Sequence, residues 1–173
     1  MREDVAIRAY AAGDAPALYE AARESTSDVF PWLPWCHRDY TLEEAEGWTS
    51  TRPKLFSEGV EFNFVIVDAA RRFLGGCGLN RINRDHRFAN LGYWVRSSAA
   101  GQGVAPAAVR RLAAFAFGST DLIRLEIVCA VSNLRSQRAA EKGGAIREGT
   151  LRHRLLIHGR PHDAVIYSIL RSE

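Results

Sequence analysis

Apolar residues along this chain follow two rhythms. Residues 91–95, Leu-Gly-Tyr-Trp-Val, form a short apolar and aromatic run, the pattern of a buried strand. Residues 104–117 instead repeat apolar side chains at helical spacing, at Val104, Val109, Leu112, Ala113 and Ala116. Residues 123–129 return to the strand pattern. The same reading gives an opening strand at 5–8 and a helix from Asp14, which can cap it, to about Arg23, with Pro16 in the first turn. Residues 25–40 read as irregular, with two prolines flanking Trp32 and Trp35. Thr41-Leu-Glu-Glu44 is a capping box that starts a second helix, running to about Pro53. Strands at 61–68 and 73–82 flank a short hairpin turn, and a polar connection at 83–88 leads to the strand at 91. Residues 61–96 are therefore expected to form a three-strand antiparallel meander. A short helix at 134–142 ends at Gly143-Gly144, and strands at 151–157 and 164–170 close the chain. A strand, a crossover helix and a strand over residues 91–129 demand a parallel pair. The order βααβββαβαββ gives a mixed α/β sheet with one parallel step.

Length and composition add bounds rather than an answer. The chain has 173 residues and a formal net charge of +3. That length suits one domain, residues 1–173, with a substantial core. The mild positive balance suits an anionic cofactor or an acidic macromolecule, as it does many proteins with neither partner. No Lys/Arg block is dense enough to predict nucleic-acid binding. Cys36, Cys77 and Cys129 are an odd number without a CxxC, which fits a reducing cytoplasm, and Cys77 and Cys129 read as packed thiols. No apolar run reaches membrane-spanning length and no secretory leader is visible, so no membrane association is expected. His37, His86, His158 and His162 show no metal-ligand spacing, and no metal is expected.

Candidate chemistry concentrates where the strand at 91 turns into the helix at 104. Gly101 and Gly103 lie in that turn, and Pro106 occupies the first helical turn, where a missing N–H has no intrahelical partner. A glycine turn entering a helix aims several unpaired N–H groups, and the positive end of the helix dipole, at one spot. That is a site for phosphate. A Walker A loop is excluded, because Gly103 is followed by Val-Ala-Pro rather than by lysine. A dinucleotide fingerprint would place a glycine where Pro106 stands, although Glu126 lies at a suitable distance for its acid. That fingerprint usually opens a βαβ domain, whereas this turn follows a meander.

The element order and six segments carry a third reading: FPWLPW at 30–35, LGYWV at 91–95, GQGVA at 101–105, SNLRSQRAAEKGG at 132–144, EGTLR at 148–152 and HDAVIYSIL at 162–170. The chain resembles the GNAT superfamily of N-acetyltransferases, and within it the RimJ/RimL branch that acetylates ribosomal-protein N-termini. The resemblance implies an α/β fold whose mixed, largely antiparallel sheet has a central parallel βαβ step and helices on both faces. It implies acetyl transfer from acetyl-coenzyme A to a primary amine, either a protein N-terminal α-amine or a small molecule, in a monomer or homodimer. The glycine turn at Gly101 and Gly103 would cradle the pyrophosphate through the amides of Gln102, Gly103, Val104 and Ala105. The strand at Tyr93, Trp94 and Val95 would splay from the next strand and bind the pantetheine arm. Asn133 would contact that arm, and Ser136 would lie near the thiol. Trp32, Trp35, Asn90 and His153 are the expected acceptor-side residues. Acids near the pocket, Asp28, Asp39, Glu43 and Glu44, would suit a cationic acceptor, though near a helix N-terminus the dipole explains them equally.

The sequence departs from the pattern where proton chemistry is expected. Ala140 stands where many members of the superfamily carry an acidic tyrosine. Asn90 and Leu155 stand where relatives carry carboxylates, and Ala100 begins the phosphate loop in place of Arg or Gln. Ser136 is then the candidate donor to the leaving thiolate, and Glu126 the candidate base, directly or through water. A non-catalytic acyl-coenzyme A-binding module is the alternative from another class.

Overall fold

Seven strands form one sheet in the spatial order first, second, third, fourth, fifth, seventh, sixth. The computed structural model describes residues 4–172. In chain order the elements are β1 (Ala6–Ala9), α1 (Ala15–Val29), α2 (Leu42–Ser57), β2 (Phe62–Val67), β3 (Phe73–Asn83), β4 (Phe88–Val95), α3 (Val104–Ser119), β5 (Arg124–Ala130), α4 (Leu134–Lys142), β6 (Ile146–Ile157) and β7 (Arg160–Leu170). Short 3-10 turns precede α1, at Ala12–Asp14, and follow β4, at Ser97–Ala99. All neighbours pair antiparallel except β4 and β5, which are parallel. The expected meander and parallel crossover are both present.

Alternation along β2 sorts the two faces of the sheet. Phe64 and Ile66 point to one face, where they join Leu112 and Ala116 of α3 and Ala140 of α4. Val65 and Val67 point to the other face, against Leu18 and Ala22 of α1. Removing these side chains from water is the main drive that fixes the helices on the two faces.

Several boundaries differ from the sequence expectation, each for a tertiary reason. The first helix runs to Val29 rather than Arg23, so the first five residues of the supposedly irregular segment are helical. Its Ser25 is fully buried, donates to the Ala21 carbonyl at 2.6 Å and accepts from the Ser97 amide at 2.9 Å. The polar run is thereby satisfied inside the fold. Asp14 does not cap the helix with its side chain. Arg8 takes that carboxylate at 2.6 and 2.8 Å, and the Ala11 amide donates to it at 2.8 Å. The second helix passes through Pro53 and ends at Ser57, because Phe56 in its last turn packs on Phe62 and Phe64 at centroid distances of 5.1 and 5.5 Å. The Thr41–Glu44 capping box forms as expected.

Candidate active site

The parallel pair at the centre of the sheet is brief. Only Phe88, Ala89 and Asn90 pair with Arg124, Leu125 and Glu126. Beyond Asn90, β4 stays on β3 as far as Val95, while β5 stays on β7 as far as Ala130. The two strands therefore part after three paired residues, and the facing backbone edges of both are freed. A cavity of about 980 Å³ runs through this opening. Leu91–Val95 on one side and Ile127–Ala130 on the other line it.

The glycine turn closes one end. Gly101 and Gly103 have φ of 75° and 78°, the left-handed region that L side chains rarely adopt, and Gly103 is the N-cap of α3. Gly101, Gly103, Val104 and Ala105 all line the cavity. The Val104 and Ala105 amides lie in the first helical turn, where no intrahelical acceptor exists. Gln102 is not in the lining; its side-chain amide donates to the Ser98 carbonyl at 2.9 Å and braces the turn. Arg138 and Lys142 of α4 add positive charge to the lining.

Ser136 stands in the first turn of α4, beside the parting strands. Asn133 is the helix cap, its side-chain oxygen accepting from the Ser136 amide at 3.1 Å, and both residues line the cavity. The Ser136 hydroxyl is 3.1 Å from the Tyr93 hydroxyl and 3.1 Å from the Cys129 thiol. Tyr93 also donates to the Ser136 carbonyl at 2.8 Å. Burial pushes the Tyr93 and Cys129 groups above their ordinary pKa values, so both stay protonated near neutrality.

The other end of the cavity has aromatic walls. Trp32 and Trp35 line it, together with Tyr10, Tyr40 and Trp48. Trp35 packs edge-on against Trp94 at 5.3 Å and Tyr40 at 5.5 Å. The ring of Trp94 thus serves this wall, while its backbone lies on the parted strand. Gly76 of β3 makes room beneath: a Cβ there would come within 2.8 Å of both the Trp94 indole nitrogen and the Tyr10 hydroxyl. Asn90 donates to the Asn80 carboxamide at 2.9 Å, and both line the cavity.

Two expected residues are placed elsewhere. Glu126 is absent from the lining, and Arg124 donates to it at 2.9 Å. Arg124 also grips Glu148 at 2.8 and 2.5 Å, so Glu126 belongs to a charge cluster on the sheet. His153 is exposed and outside the lining; its amide donates to Asp163 at 2.8 Å. Tyr10, Asn63, Asn80, Arg81 and Arg154 join the cavity without having been singled out in the sequence. Their elements are far apart in the chain, and no local spacing marks them. Among the described residues no group of three His, Cys, Asp or Glu is placed to hold a metal, no helix is long and apolar enough to cross a membrane, and all three cysteines are free and buried.

The acetyltransferase (GNAT) domain family matches residues 4–146. The chain belongs to this family. YdaF of Bacillus subtilis (strain 168), a proposed ribosomal N-acetyltransferase, is 29% identical and aligns over 100% of this chain and 94% of its own length. The ribosomal-protein-serine acetyltransferase of Escherichia coli (strain K12) is 25% identical over 96% of this chain and 92% of its own. Among solved structures, RimL, a ribosomal L7/L12 α-N-protein acetyltransferase in complex with coenzyme A, superposes with a TM-score of 0.88. That match covers 97% of this chain and 94% of RimL at 23% identity, and it confirms the expected fold.

Proposed function

We propose that this protein moves an acetyl group from acetyl-coenzyme A to the α-amine of a protein N-terminus. The observation that carries the reading is a continuous path. The glycine turn, the freed strand edges and the Ser136 hydroxyl lie along one cavity that continues to the aromatic pocket. The residues present fit the donor. Backbone amides at Gly103–Ala105, helped by the α3 dipole and by Arg138 and Lys142, suit a pyrophosphate. The parted strands suit an extended amide-bearing arm, and bound there the donor supplies the activated acetyl group as a thioester.

The chain's own groups then divide the work. Amides on the freed edge of β4, around Tyr93–Val95, are placed to stabilise an oxyanion. Ser136 occupies the face of α4 on which Ala140 follows one turn later; Ala140 is buried in the core and supplies no acid. Ser136 therefore donates a hydrogen bond to the departing thiolate, which takes up a proton from solvent in exchange for the one the amine loses, and the position of Ser136 is fixed by Tyr93 and Cys129. The acceptor amine loses its proton to water beside Asn80 and Asn90. Glu126 braces Arg124 at the last paired step before the strands part, rather than serving as the base. The full-length likeness to YdaF and to the ribosomal-protein-serine acetyltransferase supports a protein acceptor.

Calorimetric titration tests the donor site. Wild-type protein should bind acetyl-coenzyme A and neither NAD nor ATP. Gly103→Val should weaken that binding by roughly a hundredfold while circular dichroism stays native, since a β-branched residue is excluded from the left-handed region and the amide cradle is lost. Equal binding by the variant overturns the pyrophosphate assignment.

A further inference from the structure

The charged residues of the acceptor end divide unequally once their partners are named. Its acids are Asp28 and Glu44. Asp28 accepts from Arg135 at 3.1 Å and from the Ser97 hydroxyl. Glu44 pairs with His37 at 2.9 Å and accepts from the Thr41 amide at 2.8 Å. Of the four acids that suggested a cationic acceptor, the two in the lining are therefore engaged within the fold, and Asp39 and Glu43 are exposed outside it. Apart from Arg135, which pairs with Asp28, and the α4 cations Arg138 and Lys142, the arginines of the cavity lining are Arg81 and Arg154, both exposed. Among the described residues neither forms an ion pair.

The backbone supplies a second, independent observation. Arg81 sits where the β3–β4 register slips between Asn80 and Asn83, and its own φ is 49°. Arg154 sits where the β6–β7 register slips between Leu151 and Leu155, next to His153, whose φ is also 49°. Bulges re-aim side chains next to functional sites, and left-handed non-glycine residues are strained. Two strands thus carry the same irregularity at the point where each turns an arginine into one cavity.

We propose that the acceptor carries an anionic group, a carboxylate or a phosphate, close to the amine that is acetylated, and that Arg81 and Arg154 bind it. The proposal rests on the acetyltransferase reading and narrows its substrate class. It separates this protein from enzymes that select polyamines, because the unpaired charge of the pocket has the wrong sign for them.

The test uses three peptides that share an N-terminal serine. They are followed by Glu-Asp, by the isosteric Gln-Asn, or by phosphoserine-Asn, and spermidine is the cationic control. Free-thiol release gives kcat/KM for each. The Glu-Asp or phosphoserine peptide should exceed Gln-Asn on the order of tenfold, as two solvent-exposed ion pairs allow, and the advantage should shrink with added salt. Whichever anion gains more identifies the source. In the double variant Arg81→Gln/Arg154→Gln the preference should vanish, the anionic peptides falling to the rate that the same variant shows with the Gln-Asn peptide. Equal use of all three peptides, preference for spermidine, or a preference that survives in the variant overturns the proposal. If no acceptor turns over, the same peptides are titrated calorimetrically into protein saturated with coenzyme A. Tighter binding of the anionic peptides sustains the subsite, and equal binding overturns it. Failure of coenzyme A itself to bind would instead count against the donor site.

Discussion

Ser136 gathers its neighbours from three elements. The Asn133 cap fixes its amide, Tyr93 comes from β4 and Cys129 from β5. A serine hydroxyl is a weak acid by itself, so its usefulness depends on where it is held. Ser136→Ala should lower kcat by about ten- to a hundredfold, no more than the low end of what a positioned proton donor supplies because a serine hydroxyl is a weak acid, with the KM for acetyl-coenzyme A changed less than about threefold. Tyr93→Phe should lower kcat by roughly three- to tenfold, since one hydrogen bond to the donor is lost. Glu126→Gln should leave kcat within about threefold, as expected of a half-buried group in a charge cluster rather than a base. Steady-state thiol release with a serine-led peptide measures all three. A hundredfold loss in Glu126→Gln with full activity in Ser136→Ala would reverse the roles assigned here.

Among the elements, the end of α1 roofs the cavity. Asp28 reaches Arg135 on α4, and Phe30 reaches the β6–β7 turn: the His158 ring nitrogen lies 2.9 Å from the Phe30 carbonyl and the rings meet at 4.4 Å, tilted by 51°. The segment after this roof carries Trp32 and Trp35, so the hairpin turn sets the position of the aromatic wall. His158→Ala removes one exposed hydrogen bond and one ring contact, together worth about 1 kcal/mol. The KM for the acceptor peptide should rise about fivefold while calorimetric affinity for acetyl-coenzyme A stays unchanged. An equal loss in both would show that the roof serves the donor end as well.

Across the whole molecule, one buried arginine ties the first helix to the strand and turn that form the donor site. Arg96 is only 7% exposed. It donates to Glu20 at 2.8 Å, to Glu24, and to the Phe73 carbonyl at 3.1 Å. Glu24 also accepts from the Ser98 amide at 2.7 Å. Its hydrogen bond from Arg96 holds the Glu24 carboxyl down at about 2, below the ordinary 4.5. A depressed carboxylate contributes stability above its unfolded pKa and loses it as pH falls through the folded value. Glu24→Gln should therefore destabilise the fold at pH 7 by about 1–2 kcal/mol, discounted for the partial exposure of Glu24. The gap to wild type should close between about pH 4.5 and pH 2. Urea unfolding at both ends of that range checks it; a gap that persists at pH 2 would mean the loss is packing rather than charge.

Much of this protein is written locally. The capping box at Thr41, the strand runs and turns of 61–96 and the glycines at 101 and 103 each act within a few residues, and each formed the element expected of it. The family followed from several such segments in a fixed order, and the family match bears it out. The misplaced boundaries share one cause. Ser25, Asp14 and Phe56 are governed by Ser97, Arg8 and Phe64, partners that no short window contains. The same holds for the site: the glycine turn was legible because a helix N-terminus is a local object. The aromatic wall, the placing of Glu126 beside Arg124 and the two bulged arginines were decided only when distant strands met. Local backbone preferences fix where chain segments start and turn, whereas burial and charge pairing across the sheet fix which side chains face one another.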